Sequence, residues 1–318
     1  MPRNSMIRWR LPLLCAAVLL LNAAMPAEAA SKKVGVTLLS LQYPFLVTVG
    51  ESMKAEAAKK GIDIIALDPR QEVAKELTQV ENLISQKVDL IVMIPVDQKT
   101  SQTAAKQVNA AGIPLVLLNT KFTDDFAANG GKFVTYVGSD DTDAGKIEGD
   151  YLVKTLPKGG NVIYLVGEYG GASTERRKTG FMSVIGDKTD YKIVTELQAH
   201  GSRAEAKSIM ENLLQKYGKG EIQAVVAQND EMAIGASSAL QEAGRLDEVK
   251  ALIGVDGSRP GLAGVKEGVL TATVFQDAVG QGVGAVDAAA AVLAGGKVEP
   301  QVVIPFQLVT KENVDKFE

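Results

Sequence analysis

Short apolar runs alternate with amphipathic segments along most of the chain. Residues 34–39 and 90–94 are almost continuously apolar, which is typical of parallel strands that are covered on both faces of a sheet. Residues 45–60 and 75–86 carry apolar side chains at helical spacing, and the first of these segments is followed by Gly61, a common helix C-terminal residue. The pattern therefore predicts repeated βα units.

The βα units form two series of similar size on either side of about Gly138. The first series has predicted elements at residues 34–39, 45–60, 63–67, 75–86, 90–94, 100–111, 114–118 and, after a polar loop over 121–132, 133–137. The second has them at 141–156, 161–166, 174–185, 191–197, 203–216, 222–228, 230–243 and 251–255. Two such series predict an α/β fold with two doubly wound parallel sheets. The local pattern does not assign strands 271–275 and 302–305 or helix 278–294 to either sheet.

Residues 1–29 have the features of a secretory signal peptide. Three arginines form a basic start, residues 11–24 are apolar, and Ala27–Glu28–Ala29 resembles a signal-peptidase site. The apolar stretch is too short to span a bilayer comfortably, and Cys15 lies inside it, which argues against a lipoprotein. We therefore expect cleavage near Ala29 and export to the periplasm, with an uncleaved anchor as the alternative.

Cleavage changes the chemistry that the chain can offer. It removes Cys15 and Trp9, the only cysteine and tryptophan, and leaves His200 as the only histidine. Disulfides, thiol nucleophiles and His-rich or Cys-based metal sites are then excluded or poorly supplied, although a single-histidine triad is not excluded. The loss of three Arg and one Glu leaves 31 basic and 37 acidic residues, a net charge of −6. This charge argues against nucleic acid as a partner.

Motifs for cofactors, metals and nucleophiles are incomplete. The Gly-rich turn at 167–174 lacks the lysine of a phosphate loop, and the glycines at 280–284 do not have the dinucleotide-binding spacing and are better explained by close helix packing. Residues 141–145 lack the terminal glutamate of a calcium loop, and no GxSxG is present. We expect no cofactor, no metal and no catalysis.

Polar or aromatic residues stand where predicted strands end. They are Tyr43, Phe45, Asn119, Arg177, Asn229, Asp256 and Gln276. Each alone is more often a cap or turn residue, and Asp230 is predicted to be the N-cap of the helix that follows Asn229. Seven together at the ligand-binding edge of open sheets indicate a shared site. Amides, one carboxylate, one guanidinium and an aromatic face suit a neutral polyhydroxyl ligand.

With these residues the chain resembles the periplasmic sugar-binding proteins of ABC importers, of the ribose- and galactose-binding type. The likeness covers nearly the whole mature chain, with matching stretches at 36–46, 68–83, 112–114, 145–151, 177–181, 227–233 (AQNDEMA) and 254–257 (GVDG). The last two stretches are specific, whereas 112–114 is weak alone.

The resemblance implies two lobes joined by three crossovers near Gly138–Ser139, Gln276 and Pro305. The expected lobes are residues 30–138 plus 277–305 and residues 139–276 plus 306–318, with a ligand cleft between them that closes about the hinge. The closed form would be presented to a membrane permease, or sometimes to a chemoreceptor. We expect a monomer.

The resemblance also implies roles for single residues. Phe45 matches the stacking aromatic, Arg177 the sugar-binding arginine, Asn229, Asp256 and Gln276 the polar ligands of the second lobe and hinge, and Asn119 a position that holds Asp or Asn. Gln42, Ser173 and His200 are further candidates for ligand contact, and a surface-loop role for His200 is the alternative.

Three departures from the family pattern bear on the ligand. Asn119–Thr120 stands where ribose-type members carry Asp–Arg, and Tyr43 stands where relatives have Asn or Asp. Ribose-type members also carry an aromatic residue near Gly201, opposite Phe45, where this chain has Gly201 beside His200 and Ser202. One charged anchor is therefore gone, and the second stacking wall is missing or supplied by another residue. A larger ring, a cyclitol such as inositol, or a sugar alcohol fits such a pocket better than ribose.

We therefore interpret the chain as an exported solute-binding protein for a neutral sugar, sugar alcohol or cyclitol that feeds an ABC importer. A nicotinamide-dependent oxidoreductase is disfavoured by the absent fingerprint and the export signal. A ligand-responsive repressor is disfavoured because a signal peptide stands where its helix-turn-helix would be. A chemosensory or quorum-signal receptor of the same fold stays open.

Overall fold

The computed structural model describes residue 1 and residues 31–317. The predicted signal peptide and its cleavage site near Ala29 therefore lie outside the described residues, apart from Met1. Within residues 31–317, no helix is both long enough and apolar enough to cross a membrane.

The first sheet contains six strands of the described chain, and all of its neighbouring strands are parallel. Its strands are β1 (Lys32–Thr37), β2 (Ile62–Leu67), β3 (Leu90–Met93), β4 (Leu115–Leu118), β5 (Thr135–Gly138) and β11 (Gln301–Val303). Their spatial order is β11-β5-β4-β3-β1-β2. The order reverses direction next to β1, which makes the sheet doubly wound.

The second sheet repeats this plan with six further strands of the described chain. They are β6 (Gly160–Val166), β7 (Tyr191–Gln198), β8 (Ala224–Ala227), β9 (Ala251–Asp256), β10 (Ala272–Phe275) and β12 (Gln307–Thr310). The order is β12-β10-β9-β8-β6-β7, with β12 antiparallel to β10 and the other pairs parallel.

Helices connect the strands and cover the sheets. They are α1 (Pro44–Lys59), α2 (Val73–Ser85), α3 (Gln102–Ala110), α4 (Asp125–Ala128), α5 (Asp141–Thr155), α6 (Ala172–Ile185), α7 (Arg203–Lys216), α8 (Asp230–Glu242), α9 (Arg259–Glu267) and α10 (Ala278–Leu293). Helix α10 packs against α1 and the first sheet. A Cβ atom on Gly282 would meet backbone atoms of α1, so Gly282 allows the close helix packing that was predicted for residues 280–284. Gly280 and Gly284 instead lie next to Asp277, the N-cap of α10, and next to side chains of Val137 and Ile304.

The chain passes three times between the two sheets. It leaves the first sheet after β5, returns after β10 to form α10 and β11, and leaves again before β12. Each sheet has a hydrophobic core on both faces. In β3, for example, Leu90 and Val92 face one cluster while Ile91 and Met93 face the other. This two-sided burial explains why the strands are almost continuously apolar.

Two α-helices and one strand were not predicted from the sequence. Helix α4 lies inside the predicted polar loop, and α9 and β12 lie in stretches without a helical or strand pattern. Helix α9 carries Pro260 and two glycines, which lower helix propensity, but Ser258 caps it by accepting a hydrogen bond from the Gly261 N–H at 3.2 Å. Strand β12 is only four residues long, and its pairing with β10 brings together distant parts of the chain.

Candidate ligand-binding site

A cavity of about 200 Å³ lies where the carboxyl ends of the two sheets face each other. Residues of both sheets and their connecting loops line it, because parallel strands place their carboxyl ends at one edge. All seven residues singled out from the sequence line this one cavity: Tyr43, Phe45, Asn119, Arg177, Asn229, Asp256 and Gln276.

Asp256 ends strand β9, Gln276 directly follows the neighbouring strand β10, and both side chains line the cavity. Neither side chain makes a hydrogen bond to any residue in the part of the chain that the structure describes. Burial raises the pKa of Asp256 well above its usual range, although the nearby Arg177 charge opposes this shift. The φ angle of Asp256 is 115°, a costly conformation for a residue other than glycine and one that is typical of functional sites.

Arg177 is buried in α6 and is partly committed to the protein. Its Nε donates to Asp141 Oδ1 at 2.8 Å, and its Nη1 donates to the Gln228 carbonyl oxygen. Burial lowers the pKa of the guanidinium, but the charges of Asp141 and Asp256 more than offset this, so the pKa is raised. Arg177 therefore stays charged beside Asp256, and donors not used by Asp141 and Gln228 can reach the cavity.

Asn229 caps helix α8, which corrects the prediction that Asp230 is the N-cap. The Asn229 Oδ1 accepts from the Met232 N–H at 2.9 Å, and its Nδ2 donates to the Gly201 carbonyl at 3.2 Å. Asp230 is instead the first helical residue, and its buried carboxylate accepts from Ser258 and Thr273. One N–H of the Asn229 amide is left for a ligand.

Asn119 contributes an amide from the first sheet. Its φ angle is 60°, and its Nδ2 donates to Gln281 Oε1 at 3.0 Å. Gln281 in turn donates to Ser139 Oγ at 3.1 Å, at the first crossing between the sheets. This chain of hydrogen bonds connects the cavity to a crossing segment.

The aromatic residues Phe45 and Tyr43 both come from the start of α1. Phe45 lines the cavity and also belongs to the core of the first sheet, with 7% of its surface exposed. The Tyr43 hydroxyl donates to Gln71 Oε1 at 3.2 Å. Burial and the charge of Glu168 raise the pKa of Tyr43, so it is a neutral hydrogen-bonding group at physiological pH.

The three further candidates divide between the cavity and the surface. Ser173 lines the cavity, whereas Gln42 is exposed and lines a separate groove. His200 lies outside the cavity lining, and its Nδ1 is 2.7 Å from Glu168 Oε1. This hydrogen bond raises the pKa of His200.

Several residues that line the cavity were not identified from the sequence. Gln71, Gln98 and Glu168 follow strands of the two sheets. Gln228 holds the Gly-rich turn, because its Oε1 accepts from the Gly167 N–H at 3.1 Å and its Nε2 donates to the Thr174 carbonyl at 2.9 Å. Gln98 and Gln228 also stand near strand ends, so the same reasoning could have included them. Among residues 31–317 there is no cluster of His, Cys, Asp or Glu suited to a metal ion.

Comparison with known proteins agrees with this architecture. A family model described as a periplasmic binding protein domain matches residues 34–297. The ribose import binding protein of Bacillus subtilis is 35% identical over 292 residues, which cover 91% of this chain and 92% of the relative. A putative rhizopine-binding protein of Rhizobium meliloti is 35% identical over 262 residues, 81% of this chain and 83% of its own.

The fold is shared with solved structures as well. An ABC transporter solute binding protein from Bacillus halodurans C-125, solved with bound myo-inositol, is 36% identical, has a TM-score of 0.84, and covers 92% of this chain and 99% of its own. The chain therefore belongs to the periplasmic binding protein family.

Proposed function

We propose that this protein captures a neutral sugar, sugar alcohol or cyclitol in the cavity between its two sheets and delivers it to an ABC transporter permease. The observation that carries the proposal is the pair of free polar side chains, Asp256 and Gln276, beside the Arg177 guanidinium. Polar groups removed from water need partners, and a ligand with several hydroxyls supplies them.

The chemistry of the lining favours hydroxyls over a charged group. A hydroxyl donates to Asp256 and accepts from Arg177, and an amide such as Gln276 can take either role. Arg177 is already balanced by Asp141 at 2.8 Å, so a phosphate would meet carboxylates without a free counter-charge. The cavity of about 200 Å³ is smaller than the roughly 300–1,000 Å³ of pockets for drug-sized ligands, which suits a single small ring.

The relatives support the same ligand class. One is named for ribose import and another was solved with myo-inositol. Tyr43 and Asn119 stand where the sequence departs from ribose-type members, which favours a member of this class other than ribose.

Closure of two lobes about a hinge would bury the ligand. We propose lobes of residues 30–138 plus 277–305 and of residues 139–276 plus 306–318, and the strand membership of the two sheets supports these bounds. The protein would act in the periplasm after removal of its signal peptide, and it would catalyse no reaction, since its task ends with binding and release.

A thermal-shift screen tests the proposal. The panel contains pentoses, hexoses, sugar alcohols and inositols at millimolar concentration, and a true ligand raises the melting temperature by mass action. No response from any member would refute the proposed function.

Asp256→Asn gives the second test. We expect a loss of roughly 2–3 kcal/mol of binding free energy, about 30- to 150-fold in Kd, because ligand hydroxyls that donate to a carboxyl oxygen of Asp256 would meet an amide N–H in its place. Calorimetric titration with the ligand found in the screen measures it. Asp247→Asn, at an exposed position, is the matched control and should leave Kd unchanged. Equal Kd values for the Asp256 variant and the wild type would contradict the assignment.

A further inference from the structure

Tyr43 and Gly201 meet across the cavity from the two halves of the molecule. Tyr43 precedes α1 on the first sheet, and Gly201 precedes α7 on the second. A Cβ atom placed on Gly201 would lie 2.8 Å from Cε1 and 3.5 Å from the hydroxyl oxygen of Tyr43. The Tyr43 ring therefore occupies the space that a side chain at position 201 would need.

The Tyr43 ring is held between two turns of the same type. Residues 69–72 and residues 199–202 each form a four-residue turn, closed by backbone hydrogen bonds of 3.0 and 2.7 Å. The central residues have positive φ angles, 54° and 62° in the first turn and 50° and 64° in the second, as in type I′ turns. The hydroxyl of Tyr43 donates to Gln71 of the first turn, and its ring lies against Gly201 of the second.

Gly201 is also coupled to the polar side of the cavity. Its carbonyl accepts from Asn229 Nδ2 at 3.2 Å, and the same nitrogen would lie 3.2 Å from a Cβ atom at position 201. A side chain at this position would press on Tyr43 and Asn229 together.

We propose that Tyr43 is a specificity-determining residue, and that glycine at position 201 is required for its role. Tyr43 forms an aromatic wall of the cavity from the first sheet, in the space that glycine leaves free on the second. The wall restricts the ligand to a ring without a substituent at that side. This inference rests on the proposed function, and it names Tyr43 as the residue that determines which sugars, sugar alcohols or cyclitols the cavity accepts.

A double-mutant cycle tests the contact. The variants are Gly201→Ala, Tyr43→Ala and the two combined, and the probe is whichever of myo-inositol, D-allose or D-ribose binds the wild type most tightly. We expect Gly201→Ala to weaken binding about tenfold when Tyr43 is present, as overpacking does, and less than about threefold when residue 43 is Ala. The backbone strain of alanine at a φ of 64° is the same in both backgrounds, so equal losses would overturn the proposal.

Ligand discrimination gives a second measure that uses Tyr43 alone. Each probe is paired with its monomethyl ethers, and the ratio of the two Kd values is compared between variants. Tyr43→Ala should shift this ratio about tenfold towards at least one ether, whereas Tyr43→Phe keeps the ring and should keep the ratio. Unchanged ratios in Tyr43→Ala would overturn the proposal even if Gly201→Ala does not fold. Failure of the wild type to bind any member of the thermal-shift panel, these three probes included, would instead refute the proposed function, and this inference with it.

Discussion

Glu76→Gln tests how a buried carboxyl group supports the binding cavity. Glu76 lies on α2 with none of its surface exposed. Its Oε1 accepts from the Val96 N–H at 3.1 Å, and its Oε2 accepts from Ser101 Oγ. These bonds hold residues 95–98, which follow β3 and line the cavity. Glutamine can preserve both contacts, since its oxygen accepts from Val96 and its amide donates to Ser101. The substitution therefore removes the ionisable carboxyl group and keeps the hydrogen bonds.

The raised pKa of Glu76 sets the size of the change in unfolding free energy. Burial raises the pKa of Glu76 to about 7 from 4.5. An acid whose folded-state pKa is raised stabilises the fold fully below its unfolded pKa, and that contribution is lost as pH rises through the folded pKa. The free energy of unfolding of the wild type should therefore fall by about 2 kcal/mol between about pH 5.5 and 8 because of this group alone.

Urea denaturation at several pH values between about 5.5 and 8 measures the effect. The difference in unfolding free energy between Glu76→Gln and the wild type should shift by about 2 kcal/mol in favour of the variant as pH rises. Other titrating groups act in both proteins and cancel in the difference. Glu81→Gln, at an exposed position of the same helix, is the control for the replacement of a carboxyl group by an amide. A difference between Glu76→Gln and the wild type that stays constant with pH would refute the reasoning.

Two other substitutions test separate features. Glu148 is fully buried, both of its carboxyl oxygens lack a hydrogen-bond partner among the described residues, and burial raises its pKa well above the usual range. Glu148→Met should therefore raise the free energy of unfolding by about 1–3 kcal/mol in urea melts at pH 7, while Glu148→Gln should change it little. A lower free energy of unfolding for Glu148→Met would contradict this reasoning, because it would show that the carboxyl group has a stabilising partner. Phe45→Ala should cost about 3 kcal/mol of stability, because Phe45 is part of the core, and weaken ligand binding about 5- to 30-fold. Unchanged affinity in the folded variant would assign Phe45 to the core alone.

The periodicity of the sequence was sufficient to predict most of the strands and most of the helices. Buried parallel strands must be apolar on both faces, and the apolar side chains of a helix must recur with the helical period. Both patterns can be recognised within a single stretch of sequence. Strand β12 and helix α9 were not visible because contacts with distant parts of the chain stabilise them. The polar residues at strand ends, including Asp256 and Gln276, could be identified because a parallel sheet brings its carboxyl ends to one edge.

The N-cap of α8 shows the limit of local reasoning. Asn229 and Asp230 are both good caps by residue type, and the choice between them depends on Ser258 and Thr273, which hold the Asp230 carboxylate from elsewhere in the chain.

By itself, the sequence determined the two-sheet α/β plan, the family likeness and the polar set at the strand ends, because each depends on local periodicity or on short motifs. Only the tertiary structure decided which buried carboxyls lack partners and which residues meet across the cavity. The contact of Tyr43 with Gly201 is the clearest case, since 157 positions separate the two residues in the sequence. Such contacts depend on how the two sheets pack, and no local pattern encodes that packing.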